Sequence, residues 1–265
     1  MKKSFFNTHD RSSSWQRVAP WYQKITKEGQ GHYFHQHVII PGVIRLLSLS
    51  QDSNLLDLAC GNGVFPKSLP KTVKYTGVDL SESLIKYAKN GDRNSNHKYI
   101  VGDITKPLTI PEDQNRTQSR FSHAVIILAL QNIEYPEKVL SNAARYLVNN
   151  GKLIIVLNHP MFRIPRQSSW GIDEGRKIQY RRVDKYMSPM QIPINMNPSD
   201  PKSQITMSHH YPLSSYSQML KNAGFVIELI EEWTSDKESQ GKASRMENRG
   251  RAEIPLFMTI LAKKT

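Results

Sequence analysis

The most informative stretch of the sequence is Asp57-Leu58-Ala59-Cys60-Gly61-Asn62-Gly63, which directly follows the apolar pair Leu55-Leu56. Glycine at such a place lets the backbone turn tightly and lets a ligand approach it closely. A helix that begins just after the turn can also point its free N–H groups at a polar ligand. Many turns contain a Gly-x-Gly pair, so the interpretation of this one depends on what surrounds it.

The sequence around this turn alternates short apolar runs with stretches of helical spacing, a pattern that predicts βα units on a parallel sheet. A helix capped by Ser81 should end near Gly91, and another should begin at Pro136 and end at Gly151. Right-handed crossovers would place such helices on both faces of the sheet. The predicted strands cover residues 55–59, 75–79, 98–101, 124–128 and 152–157.

The C-terminal part is predicted to complete the sheet differently. A short helix capped by Ser214 or Ser215 should end at Gly224. Two strands, at 225–230 and 254–262, then follow with no helical pattern between them. Strands joined without a helix can pair antiparallel, so an α/β fold with a mostly parallel sheet and a C-terminal antiparallel hairpin is expected.

Two segments lie outside this predicted core. Residues 1–50 should form an N-terminal helical cover, with a helix over 33–47 that is bent or interrupted at Pro41. Residues 51–265 would then form the ligand-binding domain. Within it, residues 158–212 are rich in Pro, Ser, Met and Arg and lack periodicity. A segment so long and irregular is typical of a functional lid or a disordered loop.

Composition narrows the function classes. The 265 residues carry a formal net charge of +13, which admits nucleic acid, an anionic surface or an acidic small molecule as partner. No apolar run is long enough for a membrane span, and the N-terminus lacks the apolar core of a secretory signal. The single cysteine, Cys60, suits a reducing compartment, and we expect a cytoplasmic protein. No metal site is expected, because the spacing of His32, His35 and His37 does not place all three on one helix face.

Two carboxylates at predicted strand ends indicate a nucleoside ligand. Asp79 stands where an acidic residue can accept hydrogen bonds from both ribose hydroxyls, and Asp103 can accept one from an adenine amine. A nicotinamide cofactor is disfavoured because the third glycine of Gly-x-Gly-x-x-Gly is replaced by Pro66. A pyrophosphate would also be repelled by Asp57, whereas a sulfonium with an amino-acid tail would tolerate it.

Residues 55–63 resemble the first motif of class I S-adenosylmethionine-dependent methyltransferases, and residues 75–81 and 102–103 resemble their second and third motifs. The closest similarity is to the small-molecule, quinone-biosynthesis-like type 11 branch. Ala59 stands where this family usually has glycine. The resemblance implies a Rossmann-like seven-stranded sheet and S-adenosyl-L-methionine as cofactor. It also implies that the cofactor contacts Tyr33, Asp57, Ala59, Gly61, Gly63, Asp79, Leu80, Asp103, Ile104 and Leu128.

Methyl transfer from a sulfonium is an in-line displacement, so the protein mainly has to align the acceptor with the methyl group. His159, directly after the fifth strand, is the predicted catalytic base, since histidine titrates near neutral pH. The alternative is that His159 only hydrogen-bonds a carbonyl of its loop. Residues 163–185, which follow it, are rich in arginine and lysine. This basic segment could bind an anionic acceptor, because guanidinium groups suit carboxylate and phosphate. Four residues are predicted to bind substrate: Arg163, Arg166, His209 and Tyr211.

The sequence is compatible with three functions. The first is a methyltransferase that acts on an anionic or aromatic small molecule. The second is an RNA methyltransferase that uses the basic segment as a phosphate-binding surface; the absence of an Asn/Asp-Pro-Pro-Tyr-type motif at 129–133 disfavours it. The third is a binding protein without catalysis, which the intact acidic and glycine positions disfavour.

Overall fold

A seven-stranded sheet forms the centre of the computed structural model, which describes residues 14–26, 32–110, 121–195 and 205–265. Its strands follow the order β10-β11-β5-β4-β1-β2-β3, where β1 to β4 are Asn54–Leu58, Lys74–Asp79, His97–Val101 and Phe121–Ile127, β5 is Leu147–Asn158, and β10 and β11 are Phe225–Trp233 and Phe257–Lys264. Strands β1 to β5 pair in parallel, and β11 pairs antiparallel with both β5 and β10. The predicted Rossmann-like α/β fold with its C-terminal antiparallel hairpin is confirmed.

The helices that flank the sheet are α1 (Ser14–Ile25), α2 (Ile40–Leu47), α3 (Glu82–Gly91), α4 (Pro136–Tyr146), α5 (Leu213–Asn222) and α6 (Ser244–Glu253). The Ser81 hydroxyl caps α3 by accepting a hydrogen bond from the amide of Leu84, as its residue type predicts. Pro136 opens α4, where a missing N–H removes no helical hydrogen bond.

Alternate residues of each central strand pack on opposite faces of the sheet, and so two hydrophobic cores form. Leu56 and Ile126 belong to the core under α4 and α5. Leu55 and Val125 belong to the core under α2 and α3. Because side chains alternate along a strand, adjacent residues must serve different faces. Buried on both sides, these strands read as continuous apolar runs in the sequence.

Four local predictions are wrong. Helix α4 stops at Tyr146, and Gly151 lies inside β5, which already begins at Leu147. Helix α5 begins after Pro212, with no cap from Ser214 or Ser215. Helix α6 lies between β10 and β11, where no helix was expected; its ten residues include only one buried position, Gly250, so it lacks an apolar stripe.

The fourth correction concerns the predicted irregular segment 158–212, which contains two antiparallel hairpins. Strands β6 (Ser168–Asp173) and β7 (Ile178–Val183) form the first, and β8 (Met190–Asn195) and β9 (Ile205–His210) form the second.

Near the N-terminus, a short π-helix, His35–Ile39, runs directly into α2. Pro41 therefore lies in the first turn of α2, where it does not interrupt the helix.

Candidate active site

A cavity of about 490 Å³ opens where the parallel strands β1 to β5 end. Carboxyl ends of parallel strands meet at one edge of a sheet, which is where open α/β sheets bind ligands. Its volume lies within the usual range of roughly 300–1,000 Å³ for small-molecule sites. The lining residues are Trp15, Tyr22, His35, Ala59, Gly61, Asp79, Leu80, Leu84, Gly102, Asp103, Ile104, Thr105, Ile127, Leu128, Ala129, Gln131, Asn132, Ile133, Asn158, Ile194 and Thr206.

The turn after β1 brings backbone to the cavity wall. Ala59, Gly61 and Gly63 all adopt left-handed conformations, with φ of 69°, 58° and 72°. Left-handed backbone costs L-residues free energy and suits glycine, so Ala59 is the strained member of this turn. The amides of Ala59 and Cys60 both donate to the carbonyl of Val78, which fixes the turn against β2. Ala59 and Gly61 line the cavity, whereas Gly63 packs behind it against Ala88 of α3.

The Asp79 carboxylate joins this turn to the start of α3. Its Oδ2 accepts a hydrogen bond of 2.9 Å from the amide of Gly61, and its Oδ1 accepts one of 2.8 Å from the amide of Ser81. Burial raises the pKa of Asp79, and the hydrogen bonds from Ser81 and Gly61 oppose that rise. Asp79 also lines the cavity, and each carboxylate oxygen has a further lone pair with which to accept from a ligand hydroxyl.

Asp57 lies beneath the turn instead of in the cavity wall. It is 2% exposed, and its Oδ2 accepts a hydrogen bond of 2.7 Å from the Tyr75 hydroxyl. Burial raises the pKa of Asp57 to about 7; the Tyr75 hydrogen bond opposes this shift, and the nearby charge of Asp79 adds to it. Asp57 therefore supports the turn from below and does not touch the cavity.

Asp103 presents a carboxylate at the end of β3. Its Oδ1 accepts hydrogen bonds from the amide and hydroxyl of Thr105, and its Oδ2 lies 3.1 Å from Nζ of Lys106. Burial alone would raise the pKa of Asp103, but the Thr105 and Lys106 contacts outweigh it and lower the pKa. Asp103 is thus held ionised and oriented at the cavity.

Apolar side chains stand beside these two carboxylates. Leu80 lines the cavity with 51% of its surface exposed, which is unusual for a large apolar residue next to a buried strand. Ile104 lines it from a buried position, 6% exposed. An apolar wall with a few placed polar groups is the usual composition of a small-molecule site.

Leu128 also lines the cavity, in a left-handed conformation with φ of 53°. Its amide is bonded to the carbonyl of Val156. Its carbonyl accepts hydrogen bonds from the side-chain amides of Gln131, at 2.9 Å, and Asn132, at 3.3 Å. The chain after β4 is therefore held by its own side chains against the cavity.

Helix α1 closes the cavity from the N-terminal side. Trp15 and Tyr22 line it. Their rings pack edge to face, with ring centres 6.1 Å apart. The side-chain amide of Asn62 donates to Oε1 of Gln23 and to Oγ1 of Thr26, which fastens the end of α1 to the glycine turn. These contacts bridge segments more than 35 residues apart, so sequence periodicity gave no signal for them.

Two polar atoms in the cavity wall have no hydrogen-bond partner among the described residues: Nδ1 of His35 and Oε1 of Gln131. Both atoms are also closed off from solvent, so they do not face the open cavity. The Asp79 and Asp103 carboxylates and the apolar Leu80 fit a ligand that has hydroxyl, amino and aromatic parts.

Seven of the ten residues predicted to contact the cofactor line this cavity. Tyr33, Asp57 and Gly63 do not. The Tyr33 hydroxyl donates to Asp236 at 3.1 Å, and its ring stacks on His37. His35, two residues later, lines the cavity in its place. Residues two apart point to different sides of a helix, so only one of the two can face the cavity.

His159, the predicted base, lies outside the cavity lining. It is 4% exposed, its Nδ1 accepts from the amides of Met161 and Phe162, and its Nε2 lies 2.6 Å from Oε1 of Glu232. An Nδ1 that accepts leaves the proton on Nε2, which donates to Glu232. Burial lowers the pKa of His159, opposed by Glu232. Both ring nitrogens are used, so the geometry matches the alternative of a loop hydrogen bond.

The four predicted substrate residues also lie away from this cavity. Arg163 lines a second, smaller cavity. Arg166 is exposed. His209 is buried in β9, and the Tyr211 hydroxyl reaches the carbonyl of Glu134. The segment 158–212 nevertheless contributes to the main cavity through Ile194 of β8 and Thr206 of β9, two residues that no sequence motif singled out.

No group of histidine, cysteine, aspartate and glutamate side chains suited to a metal ion occurs within residues 14–26, 32–110, 121–195 and 205–265. In the same ranges, every helix is too short or too polar to cross a membrane.

Comparisons with known proteins agree with this architecture. Residues 56–155 match the model of the Methyltransferase domain family. The ubiquinone biosynthesis O-methyltransferase of Coxiella burnetii is 32% identical over 125 residues, which are 44% of this chain and 50% of that protein. The ubiquinone/menaquinone biosynthesis C-methyltransferase UbiE of Hydrogenovibrio crunogenus is 28% identical over 117 residues, 43% and 45% of the two chains. The chain thus spans about half the length of the curated relatives it matches.

Among solved structures, an S-adenosylmethionine-dependent methyltransferase from Mesorhizobium loti shares the fold with a TM-score of 0.64 and 23% identity, over 84% of this chain and 96% of that one. The strand order and the antiparallel β10–β11 pair thus give this chain the fold of class I S-adenosylmethionine-dependent methyltransferases. Residues 56–155, which are less than half of the chain, are similar to the type 11 branch of that family.

Proposed function

We propose that this protein transfers a methyl group from S-adenosyl-L-methionine to a small aromatic or anionic molecule. The observation that carries this proposal is the joint position of Asp79, Leu80 and Asp103 at the cavity, on the ends of two neighbouring parallel strands. The curated relatives act in ubiquinone or menaquinone biosynthesis, which supports an aromatic acceptor of that class.

The residues at the cavity have separate roles in this proposal. Asp79 accepts hydrogen bonds from the ribose hydroxyls, Leu80 packs on the adenine face, and Asp103 with Ile104 binds the adenine edge. Ala59, Gly61 and Leu128 face the methionine part with backbone groups. When bound, S-adenosyl-L-methionine supplies a methyl group on a positively charged sulfur, which needs no further activation.

The protein's part in the chemistry is alignment and exclusion of water. Trp15 and Tyr22 of α1 and the hairpin residues Ile194 and Thr206 close the cavity around both ligands. Such closure holds the acceptor atom in line with the methyl group, which is the main source of rate in a displacement of this kind.

His35 is the imidazole best placed to meet an acceptor hydroxyl, since its side chain lines the cavity. Burial, and then the nearby His32, lower the pKa of His35 to about 4. The ring is therefore neutral at pH 7 and can accept a hydrogen bond from the acceptor.

Calorimetric titration with S-adenosylmethionine and S-adenosylhomocysteine tests the cofactor site. We expect micromolar binding that Asp79→Ala weakens, while Asp52→Asn, which removes a charge on the exposed surface, leaves it unchanged. Transfer of a labelled methyl group to hydroxylated benzoates and quinols tests the acceptor class. Tight cofactor binding without transfer to any such compound, but with transfer to RNA, would contradict the acceptor proposal alone.

A further inference from the structure

A second cavity, of about 140 Å³, lies between the segment that follows β5 and the residues just before β11. It is lined by Phe162, Arg163, Trp170, Arg181, Ile254, Pro255 and Leu256. These residues come from the loop after β5, from the β6–β7 hairpin and from the segment before β11. None of them lines the main cavity.

Two guanidinium groups meet in this small space without an acidic neighbour. Burial, and then the charge of Arg181, lower the pKa of Arg163; burial lowers that of Arg181. Within the part of the chain that the structure describes, neither group forms an ion pair with a carboxylate. Two partly buried like charges repel each other and lose part of their hydration, which is unfavourable unless an anion compensates them.

The hydrogen bonds of Arg181 fix its orientation but leave donors free. Its Nε donates to the carbonyl of Phe162 at 2.7 Å, and one Nη donates to the Ser168 hydroxyl at 2.9 Å. Its guanidinium lies 5.3 Å from the centre of the Trp170 ring. A guanidinium has five N–H donors, so three remain for a ligand.

Arg163 is positioned by packing instead of by hydrogen bonds. Its guanidinium lies 5.9 Å from the centre of the Phe257 ring. No hydrogen bond from its side chain occurs within the described residues, although its backbone amide is bonded to the carbonyl of His159. Its whole fork of donors is therefore available in the cavity, next to the three that Arg181 leaves free.

We propose that Arg163 and Arg181 form a binding site for one oxyanion group, a carboxylate or a phosphate, in a cavity separate from that of the cofactor. Paired guanidinium groups bind such oxygens in bidentate fashion. The cavity of about 140 Å³ has room for such a group, and the Trp170 ring adds an aromatic wall.

The loop between the two cavities connects this site to the proposed reaction. Asn158 lines the main cavity, and Phe162 and Arg163 line the second. Between them, the rings of His159 and Phe162 contact each other at a tilt of 38°, with ring centres 4.7 Å apart. The oxyanion bound by Arg163 and Arg181 then has one of two sources. It is the acidic group of the acceptor, an assignment that rests on the proposed function, or it is a free anion.

Titration of the purified protein with inorganic phosphate and with benzoate, at constant ionic strength, tests this proposal without requiring turnover. Binding of either oxyanion is expected. Tighter phosphate binding assigns the site to a free anion, and tighter benzoate binding assigns it to the carboxylate of an aromatic acceptor. Arg163→Met and Arg181→Met should each raise the dissociation constant on the order of tenfold, because a charge-assisted pair of hydrogen bonds is lost.

Arg182→Met is the matched control, because Arg182 is adjacent on β7 but is exposed and paired with Asp184. It should bind the oxyanions as the unmodified protein does. Arg163→Lys keeps a positive charge and provides a second variant if Arg163→Met does not fold. The proposal is overturned if neither oxyanion binds, or if both the Arg163 and Arg181 variants bind with unchanged affinity. Loss of cofactor binding in the Asp79→Ala titration would leave this result intact.

Discussion

The amide of Gly61 donates a hydrogen bond of 2.9 Å to Oδ2 of Asp79, so the turn after β1 and the end of β2 form one unit at the cavity. The same carboxylate is bonded to the amide of Ser81, which begins the connection into α3. One buried side chain thus orients backbone from two βα connections. This arrangement makes the glycine turn and Asp79 mutually dependent.

Gly61→Ala and Gly63→Ala should separate ligand binding from stability. Both residues have left-handed φ, so each alanine should cost about 1–2 kcal/mol of unfolding free energy. A Cβ at Gly63 would also lie 3.0 Å from Cβ of Ala88, whereas one at Gly61 meets only the edge of Tyr22 at 3.5 Å. Urea unfolding should therefore show the larger loss for Gly63→Ala, and calorimetry the larger loss of cofactor affinity for Gly61→Ala. The reverse order would contradict the placement of Gly61 at the cavity.

Leu80→Ser should weaken cofactor binding while leaving the fold intact. Leu80 is 51% exposed, so its replacement should change the unfolding free energy by no more than about 0.5 kcal/mol. A bound adenine would bury that surface, and losing the contact should raise the dissociation constant roughly tenfold, following the free energy of apolar burial. Val101→Ser is the matched control, because Val101 is 49% exposed at the end of β3 and does not line the cavity. Equal affinities for the two variants would remove Leu80 from the site.

The buried carboxyl of Asp57 should make stability depend on pH. Burial raises its pKa to about 7, whereas in the unfolded chain it is about 3.9. Between these values the folded protein retains a proton that the unfolded protein has lost. Its stability should therefore fall as the pH rises from about 4 to about 7 and should level off above that.

Asp57→Asn tests this dependence, because asparagine still accepts the Tyr75 hydrogen bond but does not titrate. The difference in unfolding free energy between the variant and the unmodified protein should change with pH only inside that window. Asp52→Asn, an exposed site, provides the comparison. A difference that stays constant from pH 4 to pH 8 would show that Asp57 is not perturbed.

His35→Phe should mainly reduce activity, whereas His159→Gln should mainly reduce stability. His35 lines the cavity, so its loss should reduce kcat/KM by about tenfold or more, in line with general contributions of a positioned imidazole. His159→Gln should lower stability because the contact with Glu232 and the bonds to the loop amides are lost, while kcat/KM of the folded protein stays within a few-fold. Steady-state kinetics and thermal unfolding on both variants make the comparison. A large loss of activity in folded His159→Gln would restore His159 as the base.

Much of the fold could be predicted because its signals are local. A glycine pair after an apolar run, Ser81 before a helix and Pro136 at a helix start each act within a few residues. The runs that form the central strands are apolar throughout because both faces are buried, and this is visible in sequence. Asp79 and Asp103 could be predicted to lie at the cavity since parallel strands end at one edge.

The misplaced elements lack such local signals. Helix α6 has Gly250 as its only buried residue and has no apolar stripe, so its sequence resembles a loop. The β6–β7 hairpin has no buried residue in its strands and mixes charged with aromatic residues, which hides the alternation of a strand. His159 follows β5 at the expected edge, but Glu232 of β10 binds its ring and holds it outside the cavity.

The sequence by itself determined the central sheet, the glycine turn and the acidic strand ends, because each depends on neighbours close in the chain. Only the tertiary structure decided which distant side chains complete the cavity. Trp15 and Tyr22 reach it through contacts between α1 and the turn at Asn62, and Thr206 reaches it through the pairing of β8 and β9. Arg163 and Arg181 likewise meet only when the β6–β7 hairpin packs beside the loop after β5. Such contacts arise from packing between segments far apart in sequence, and no local pattern encodes them.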